Sequence, residues 1–541
     1  MKAELSRDRV NGFLDTQGKK IVNQIGEEVI LTGWGLGNWL LCEGYMWLSH
    51  GSSRFDRPRR IEAVIEELTG HEFAQHFWQG FREHFISEAD IRCMADQGYN
   101  SVRIPINARL FLAEGPGLHW LDEGFQLLDQ CIDWCEQNRL YAFIDLHGAP
   151  GGQTGANIDD SIDDVSRLFL DQDCFDKGVA LWEKIARRYK DCWIVGGYDL
   201  LNEPLRPVRF QDDTDLSDML PRLIEFYEKS IAAIRKIDTR HLITLEGHHW
   251  STETDIFCKA YDPKMVIHFH RYGCLPDIAS YQTWLDLSER WQAPLWLGET
   301  GESSPEWYTA MYPLAVELGI GYNLWPWKKM ATVNSPCSIR VPEGWDELLA
   351  YTQGGRHPGY ERAQKILTVF LEQIKLANCQ MNDDLSSYIF RTPGCTVRAT
   401  DFDERPGKGV SFSGLRQGEN SFGYRLGTGM GIVEKFPDAS TPYGFDSRWN
   451  RFVLELKEGE FACYTFHDVV EQAMLEIHCY SQCSSTVQVY QDDHLINNYA
   501  LGKVNAAQVI SGLGLRHADK SVIRLVVSSG VVEIDKLAVS R

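Results

Sequence analysis

Short apolar runs alternate with longer amphipathic segments between about residues 28 and 327. The short runs are rich in β-branched and aromatic residues, whereas the longer segments repeat apolar residues at helical spacing, as in 124–138 and 216–236. This alternation is typical of a parallel sheet wrapped by helices, and a count of eight strands predicts a (β/α)8 barrel. The predicted strands are 29–35, 99–105, 140–147, 194–203, 241–247, 265–270, 294–299 and 321–327.

The texture changes after the last amphipathic segment, 361–376. Alternating polar and apolar runs such as 486–491 and 522–539 follow, with glycine-rich turns between them. This pattern predicts an antiparallel β-sandwich. We therefore predict two domains: a barrel with an N-terminal hairpin over 1–380, and a sandwich that loosely resembles a carbohydrate-binding module over 381–541.

Two segments depart from the regular alternation. Residues 10–33 predict a small hairpin that closes the bottom of the barrel. Residues 42–90 form an unusually long first connection, which is available to shape a pocket at the barrel mouth.

The charge balance limits the partners that the chain can bind. Lys and Arg total 54 against 76 Asp and Glu, a net charge of −22 that repels phosphate backbones and anionic lipids. We therefore expect no nucleic acid partner. The opening MKAELSRDRVNG lacks the apolar core of a secretory signal and no run of 18 apolar residues occurs, so we expect a cytoplasmic protein without membrane insertion. The 14 cysteines form no CxxC pair and are expected to be mostly reduced and buried.

Two glutamates stand at the carboxyl ends of predicted strands, where the catalytic groups of barrel enzymes gather. Glu203 lies between Asn202, which can bond a sugar 2-hydroxyl, and Pro204, which stops strand pairing. Glu299 ends the apolar run PLWLG. Hydrolysis of a glycosidic bond requires two carboxyl groups, one to protonate the leaving oxygen and one to attack or to activate water. Taken alone, either glutamate could equally be an ordinary surface residue. The two together predict a glycosidase.

Six motifs fall at the ends of predicted strands and agree with this chemistry. They are GLGNWLLCE (35–43), VRIP (102–105), DLHGAPG (145–151), NEP (202–204), HRY (270–272) and GYNLWPWK (321–328). Together they resemble the motifs of glycoside hydrolase family 5, in particular its exo-1,3-glucanase-like branch, over roughly residues 28–330. One departure is Glu299-Thr300, where the family commonly has an aromatic residue after the glutamate.

The resemblance implies a role for each matched position. Glu299 is the nucleophile, held by Arg103 and positioned by Tyr272, and Glu203 is the general acid/base. Because an arginine favours an ionised carboxylate, we expect Glu299 to be charged while the less compensated Glu203 keeps its proton. The remaining matches imply substrate contacts: His147 and Asn202 at subsite −1, His270 beside them, Trp325 as the stacking floor, and Glu43 on the hydroxyls of the terminal sugar.

These roles predict a retaining, exo-acting β-glycosidase whose two carboxyl groups lie about 5 to 5.5 Å apart. We expect a β-glucosidase or exo-β-glucanase on short oligosaccharides or glucoconjugates. A β-mannosidase or a glycosylceramidase-like enzyme on the same scaffold is an alternative, and a non-catalytic carbohydrate-binding protein is another.

No cofactor or metal is assigned from the sequence. His268 and His270 have the spacing of one strand face, but no further ligand spacing completes a recognised metal site. The acidic run of the third connection is interpreted as a solvated loop, with a metal site as the less favoured alternative; it contains Asp159, Asp160, Asp163 and Asp164.

Overall fold

The computed structural model describes residues 3–208, 214–417, 422–439 and 448–541. Eight parallel strands close into a barrel in which each strand pairs with the next along the chain and the last pairs with the first. The predicted (β/α)8 barrel is therefore confirmed. We number its strands β1 to β8: Thr32–Gly35, Ser101–Asn107, Tyr141–Gly148, Val195–Asp199, Leu242–Glu246, Met265–Arg271, Leu295–Gly301 and Gly321–Trp325.

The prediction that the fourth strand runs to residue 203 is wrong at its carboxyl end. β4 stops at Asp199, four residues before Glu203. Glu203 has φ 44°, a left-handed conformation outside the extended region of a regular strand. Pro204 has no N–H to donate, so the ladder cannot resume there. Glu203 thus lies on a turn above the barrel mouth rather than on the strand itself.

Helices surround the barrel because each buries one apolar stripe against the strands. In Asp122–Asn138, for example, Phe125, Leu128, Cys131 and Ile132 are buried. The other helices of the barrel domain are Pro58–Thr69, His71–His84, Glu88–Asp96, Arg167–Leu170, Gln172–Tyr189, Leu220–Arg235, His248–Ser251, Gln282–Trp291, Pro305–Glu317, Trp345–Thr352, Tyr360–Gln373 and Leu385–Phe390.

The predicted hairpin is present at the bottom of the barrel. Asp15–Gln17 pairs antiparallel with Lys20–Val22. Tyr141, the first residue of β3, accepts from the Asn11 N–H at 3.0 Å and donates to the Gly12 carbonyl at 2.9 Å. Since β3 begins at this end, the segment before the hairpin covers the face opposite the mouth.

The long first connection packs mainly on the side of the barrel. Its two helices contact Tyr360–Gln373, and the ring of Trp47 lies 4.9 Å from Phe370 and 6.1 Å from Trp345. Only the start of this connection, Glu43 to Tyr45, reaches the mouth. Most of the segment therefore contributes aromatic side chains to the core on the side of the barrel.

The acidic run of the third connection is ion-paired, so its interpretation as a solvated loop is wrong. Arg57 contacts Asp164 at 2.6 Å, and Arg109 contacts Asp160 at 2.7 Å. Asp159 is fully buried and accepts from the backbone N–H groups of the loop around it. Arginines of the first and second connections thus hold this loop in place.

The C-terminal segment forms two antiparallel sheets packed face to face, which confirms the predicted β-sandwich. Val487 and Val489 alternate with half-exposed neighbours in one sheet and pack in the core with Leu475 and Ile477 of the other. The first sheet runs Gly431–Glu434, Phe452–Lys457, Val531–Ser540, Met474–Ser481 and Val504–Gly514, with Cys395–Arg398 also on Val531–Ser540; the second runs Phe461–Val469, Ala518–Ser529, Ser485–Gln491 and His494–Leu501.

The sandwich docks on the loop that follows β6. The backbone N–H of Arg425 donates to Asp277 at 3.0 Å, and the Ile278 N–H donates to Glu404 at 3.0 Å. This loop begins directly after Tyr272, so the second domain braces a segment of the barrel mouth.

All 14 cysteines are free, and seven of them are buried. No helix in the described part of the chain is long and apolar enough to cross a membrane.

Candidate active site

Arg103 lies at the centre of the barrel mouth with a fully buried side chain. Its guanidinium contacts four carboxylates: Glu299 at 2.6 Å, Asp199 at 2.8 Å, Glu246 at 2.9 Å and Asp145 at 3.1 Å. A buried cation requires such compensation because its transfer out of water costs free energy. The arrangement ties the ends of β3, β4, β5 and β7 to one residue of β2.

Glu299 is held from two sides. Arg103 donates to its Oε2 and the hydroxyl of Tyr272 donates to its Oε1 at 2.9 Å. Burial raises the pKa of Glu299 above its ordinary value, and Glu203 adds to that effect, although His270 and Arg103 oppose it. The direction of this shift is therefore opposite to the one expected from the arginine alone, because burial outweighs the guanidinium.

Glu203 faces Glu299 across the mouth. Its backbone N–H donates to Glu246 Oε2 at 2.8 Å, and its Oε1 lies 2.7 Å from Nδ1 of His270. One carboxyl oxygen of Glu203, one of Glu299 and a ring nitrogen of His270 all lie within 4.8 Å of one another. The two glutamates therefore face the same compartment.

His270 lies between the two glutamates and is only 1% exposed. Burial opposes its charge, but Glu246, Glu299 and Glu203 outweigh burial and hold its pKa well above the ordinary value. The structure thus places His270 as a charged partner of Glu203, while the sequence predicted a substrate contact for it.

His147 and Asn202 lie side by side at the mouth and bond each other. Nδ1 of His147 lies 2.7 Å from Asp145 Oδ2, and its Nε2 lies 3.2 Å from the amide nitrogen of Asn202. Arg103 donates to the amide oxygen of Asn202 at 2.8 Å. Burial lowers the pKa of His147 to about 4, so the ring is neutral at pH 7. Their predicted sugar contacts stay predictions.

Trp325, the last residue of β8, forms part of the floor. Its ring lies parallel to the His147 ring at a centroid distance of 5.2 Å, and its indole N–H donates to the Tyr45 hydroxyl at 3.0 Å. A Cβ at Gly35 would come within 2.5 Å of the indole and one at Gly37 within 2.6 Å, which explains glycine at both positions. The residue is 3% exposed, so a sugar reaches only a small part of the ring.

Glu43 lies in the same compartment and is 3% exposed. Burial raises its pKa well above the ordinary value, and the nearby charges of Glu299, Glu302 and Glu203 raise it further. Glu302, on the rim, is ion-paired with Lys329. The motif therefore places Glu43 in the site at the start of the first connection, shortly after β1.

Sequence reasoning missed the buried polar groups beneath the two glutamates. Asp199 ends β4, Glu246 ends β5, Asp145 lies in β3 and His268 lies in β6. Nδ1 of His268 is 3.0 Å from Asp199. Glu246, His268 and His270 have donor atoms within 4.8 Å of one another, close enough to hold a metal ion, and all three are already engaged in protein contacts. A signal was present in the sequence, since each residue interrupts an otherwise apolar strand near its carboxyl end.

A closed (β/α)8 barrel whose mouth holds two facing glutamates is typical of glycoside hydrolases. Residues 63–330 match the family model Cellulase (glycosyl hydrolase family 5). Residues 63–330 therefore form a domain of that family, and the prediction made from the motifs is confirmed.

The chain is also similar to curated relatives and to solved structures. The chain is 33% identical to a "Beta-xylosidase" of Phanerodontia chrysosporium over 245 residues, which cover 45% of this chain and 48% of the relative. It is 32% identical to a "Glucan 1,3-beta-glucosidase" of Candida oleophila over 222 residues, 38% and 48% of the two chains. The crystal structure of an endogalactoceramidase is 15% identical, covers 97% of this chain and 99% of its own, and has a TM-score of 0.46. The chain spans about half the length of the curated relatives it matches.

Lys328, although part of a matched motif, lies away from the site. Its ammonium is 2.7 Å from Asp90 and donates to the carbonyls of Phe85 and Ile374 at 2.6 and 3.0 Å. The Lys328 and Asp90 side chains are both fully buried. Lys328 therefore stabilises the barrel wall and does not contact substrate.

Replacing Lys328 with methionine is expected to destabilise the protein by about 3–5 kcal/mol, because Asp90 is left as an uncompensated buried charge. The urea midpoint of unfolding measures this loss. Lys19→Met, which breaks the exposed pair with Glu289, is the matched control and should cost less than about 1 kcal/mol. An unchanged midpoint for Lys328→Met would show that the buried pair does not stabilise the fold.

Proposed function

We propose that the protein is a retaining, exo-acting β-glycosidase, a β-glucosidase or exo-β-glucanase on short β-glucosides or glucoconjugates. The observation that carries the proposal is the placement of Glu203 and Glu299, whose nearest carboxyl oxygens are within 4.8 Å. Retaining enzymes separate their carboxyl groups by about 5–5.5 Å, whereas inverting enzymes need about 6.5–9.5 Å for a water molecule. The gap favours direct attack on the sugar.

The proposed reaction has two displacements at the anomeric carbon. In the first, Glu299 attacks that carbon while Glu203 gives its proton to the glycosidic oxygen, so the aglycone leaves as an alcohol and a glycosyl ester forms on Glu299. In the second, Glu203, now a carboxylate, takes a proton from water as the water oxygen attacks the same carbon. The ester bond breaks and the sugar leaves with its original configuration.

The surroundings support these roles. The imidazolium of His270 at 2.7 Å gives Glu203 a partner when it becomes a carboxylate after the first step. Arg103 and Tyr272 orient both oxygens of Glu299 toward one face of the mouth. Fixed donors of this kind stabilise charge as it develops, without reorganisation during the reaction.

Exo action is proposed from Glu43. Its buried carboxyl lies close enough to Glu299 and Glu203 for both to raise its pKa. A carboxyl group in that position can bind the hydroxyls of a terminal sugar and close the site beyond subsite −1. The side wall formed by Glu43 and Tyr45 favours a pocket over an open cleft.

A glycosylceramidase-like enzyme is a second candidate, favoured by an apolar groove beside the mouth. The groove has a volume of about 520 Å³ and lies between the loops that follow β2 and β3. Ile162 on its wall is 48% exposed. Its other apolar lining residues include Leu112, Ala113, Pro116 and Pro150.

Hydrolysis of a substrate panel tests the proposal. The panel contains the 4-nitrophenyl β-glucoside, β-xyloside, β-mannoside and β-galactoside, together with short β-glucans and glucosylceramide. We expect the β-glucoside to be cleaved fastest, with ¹H NMR showing the β-anomer as the first product. A first product of α configuration would exclude the retaining mechanism. No hydrolysis of any substrate would favour the non-catalytic carbohydrate-binding alternative, and a preference for glucosylceramide would favour the second candidate.

A further inference from the structure

The side chain of Glu246 links the two halves of the candidate site. Its Oε1 accepts from Nη2 of Arg103 at 2.9 Å, and its Oε2 accepts from the backbone N–H of Glu203 at 2.8 Å. Arg103 in turn donates to Glu299 at 2.6 Å. Glu246 is fully buried, so it contacts both glutamate systems without reaching a substrate.

The bond to Glu203 acts on a strained residue. Glu203 has φ 44°, and left-handed conformations persist in residues other than glycine only where the surroundings enforce them. Its N–H has Glu246 as acceptor, and its side chain has His270 as partner. Removing the first contact leaves the backbone free to relax, which would turn the carboxyl group away from the mouth.

Glu246 is able to serve both contacts because it is a carboxylate. Burial raises its pKa, but His270, His268 and Arg103 outweigh burial and hold it below the ordinary value. Nε2 of His270 is 3.4 Å from its Oε2, and Nδ1 of His268 is 3.4 Å from its Oε1. Two acceptor oxygens are needed here, since every neighbour at these distances is a donor.

We propose that Glu246 is a positioning residue that sets the separation of Glu203 and Glu299. With one carboxyl oxygen Glu246 fixes the guanidinium of Arg103, which holds the nucleophile. With the other it fixes the backbone of Glu203, the acid/base residue. This inference rests on the proposed function for its kinetic consequence, but its geometric content does not depend on activity.

Glu246→Gln tests the proposal with minimal change in volume. Glutamine has one acceptor oxygen, and its NH₂ group would face either the Arg103 guanidinium or the Glu203 N–H, both of which are donors. We expect a crystal structure of the variant to show the Glu203 and Glu299 oxygens farther apart than in the wild type. On a 4-nitrophenyl glycoside kcat should fall about 100-fold, the cost of a misplacement of about 1 Å, with KM nearly unchanged.

Asp262→Asn is the matched control. Asp262 is another buried carboxylate in an ion pair, 2.7 Å from Arg235, but it precedes β6 at the opposite end of the barrel. The Asp262→Asn substitution should lower the unfolding midpoint and leave kcat and KM unchanged. This result separates general destabilisation from misplacement of the two glutamates.

Two results would overturn the positioning role: a crystal structure of Glu246→Gln with the wild-type separation and φ at Glu203, or a kcat within a few-fold of wild type. If the wild type hydrolyses no glycoside, the proposed function fails, while the two crystal structures still decide whether Glu246 sets the separation.

Discussion

Glu299→Gln is expected to lower kcat at least about 10⁴-fold, comparable to losses measured for nucleophile knock-outs in other hydrolases. The amide is nearly isosteric, so it keeps the volume of the side chain but cannot form the glycosyl ester. Steady-state kinetics on the best aryl glycoside measure the loss. Intact-mass analysis after exposure to a 2-deoxy-2-fluoro glycoside should show one added sugar on the wild type and none on the variant.

The matched control for this prediction is Glu289→Gln. Glu289 makes an exposed ion pair with Lys19, on the helix before β7, and has no contact with the site. Its replacement should leave kcat within about twofold of wild type, since surface pairs contribute little. A Glu299→Gln enzyme that still forms the covalent adduct would remove Glu299 from the nucleophile role.

The sequence predicted the barrel and its two glutamates because both depend on local signals. Strand ends follow from the change between apolar and polar residues, and predicted boundaries differ from the observed ones by a few residues; β4, for example, was predicted to end at 203 and ends at Asp199. Glu203 and Glu299 stand in short motifs, and the closed barrel brings the ends of its strands together automatically. The closed barrel alone predicts that the two glutamates lie near each other at the mouth.

The groups beneath them could not be predicted because their roles depend on contacts distant in sequence. Asp199, Glu246 and His268 are single polar residues in apolar strands. Only the closed barrel shows that Asp199 and Glu246 contact the buried guanidinium of Arg103 and that His268 contacts Asp199. Likewise, the arginine partners of the acidic loop come from other connections: Arg57 is 107 residues from Asp164, and Arg109 is 51 residues from Asp160. Spacing along the chain carries no signal for either arrangement.

This sharing of Arg103 also limits what the motif alone says about charge. The same residue type was expected to divide into an ionised nucleophile and a protonated acid through one arginine. In the structure four carboxylates share that arginine, and burial raises the pKa of Glu299 above its ordinary value. His270, which lies 2.7 Å from Glu203, and Arg103 both act against that rise.

Glu203→Ala is expected to lower kcat/KM about 10²–10⁴-fold for glycosides with poor leaving groups, such as alkyl glucosides, because these need proton donation. For 2,4-dinitrophenyl glycosides, whose leaving group departs without a proton, kcat/KM should change little. Their kcat should still fall, because the second displacement loses its general base.

Azide, a nucleophile that needs no base and fits the space left by the carboxyl group, should restore kcat and yield the β-glycosyl azide. Glu203→Gln, which keeps the space filled, is the control and should not respond to azide. An equal fall in kcat/KM for both leaving-group classes would show that Glu203 does not donate the proton.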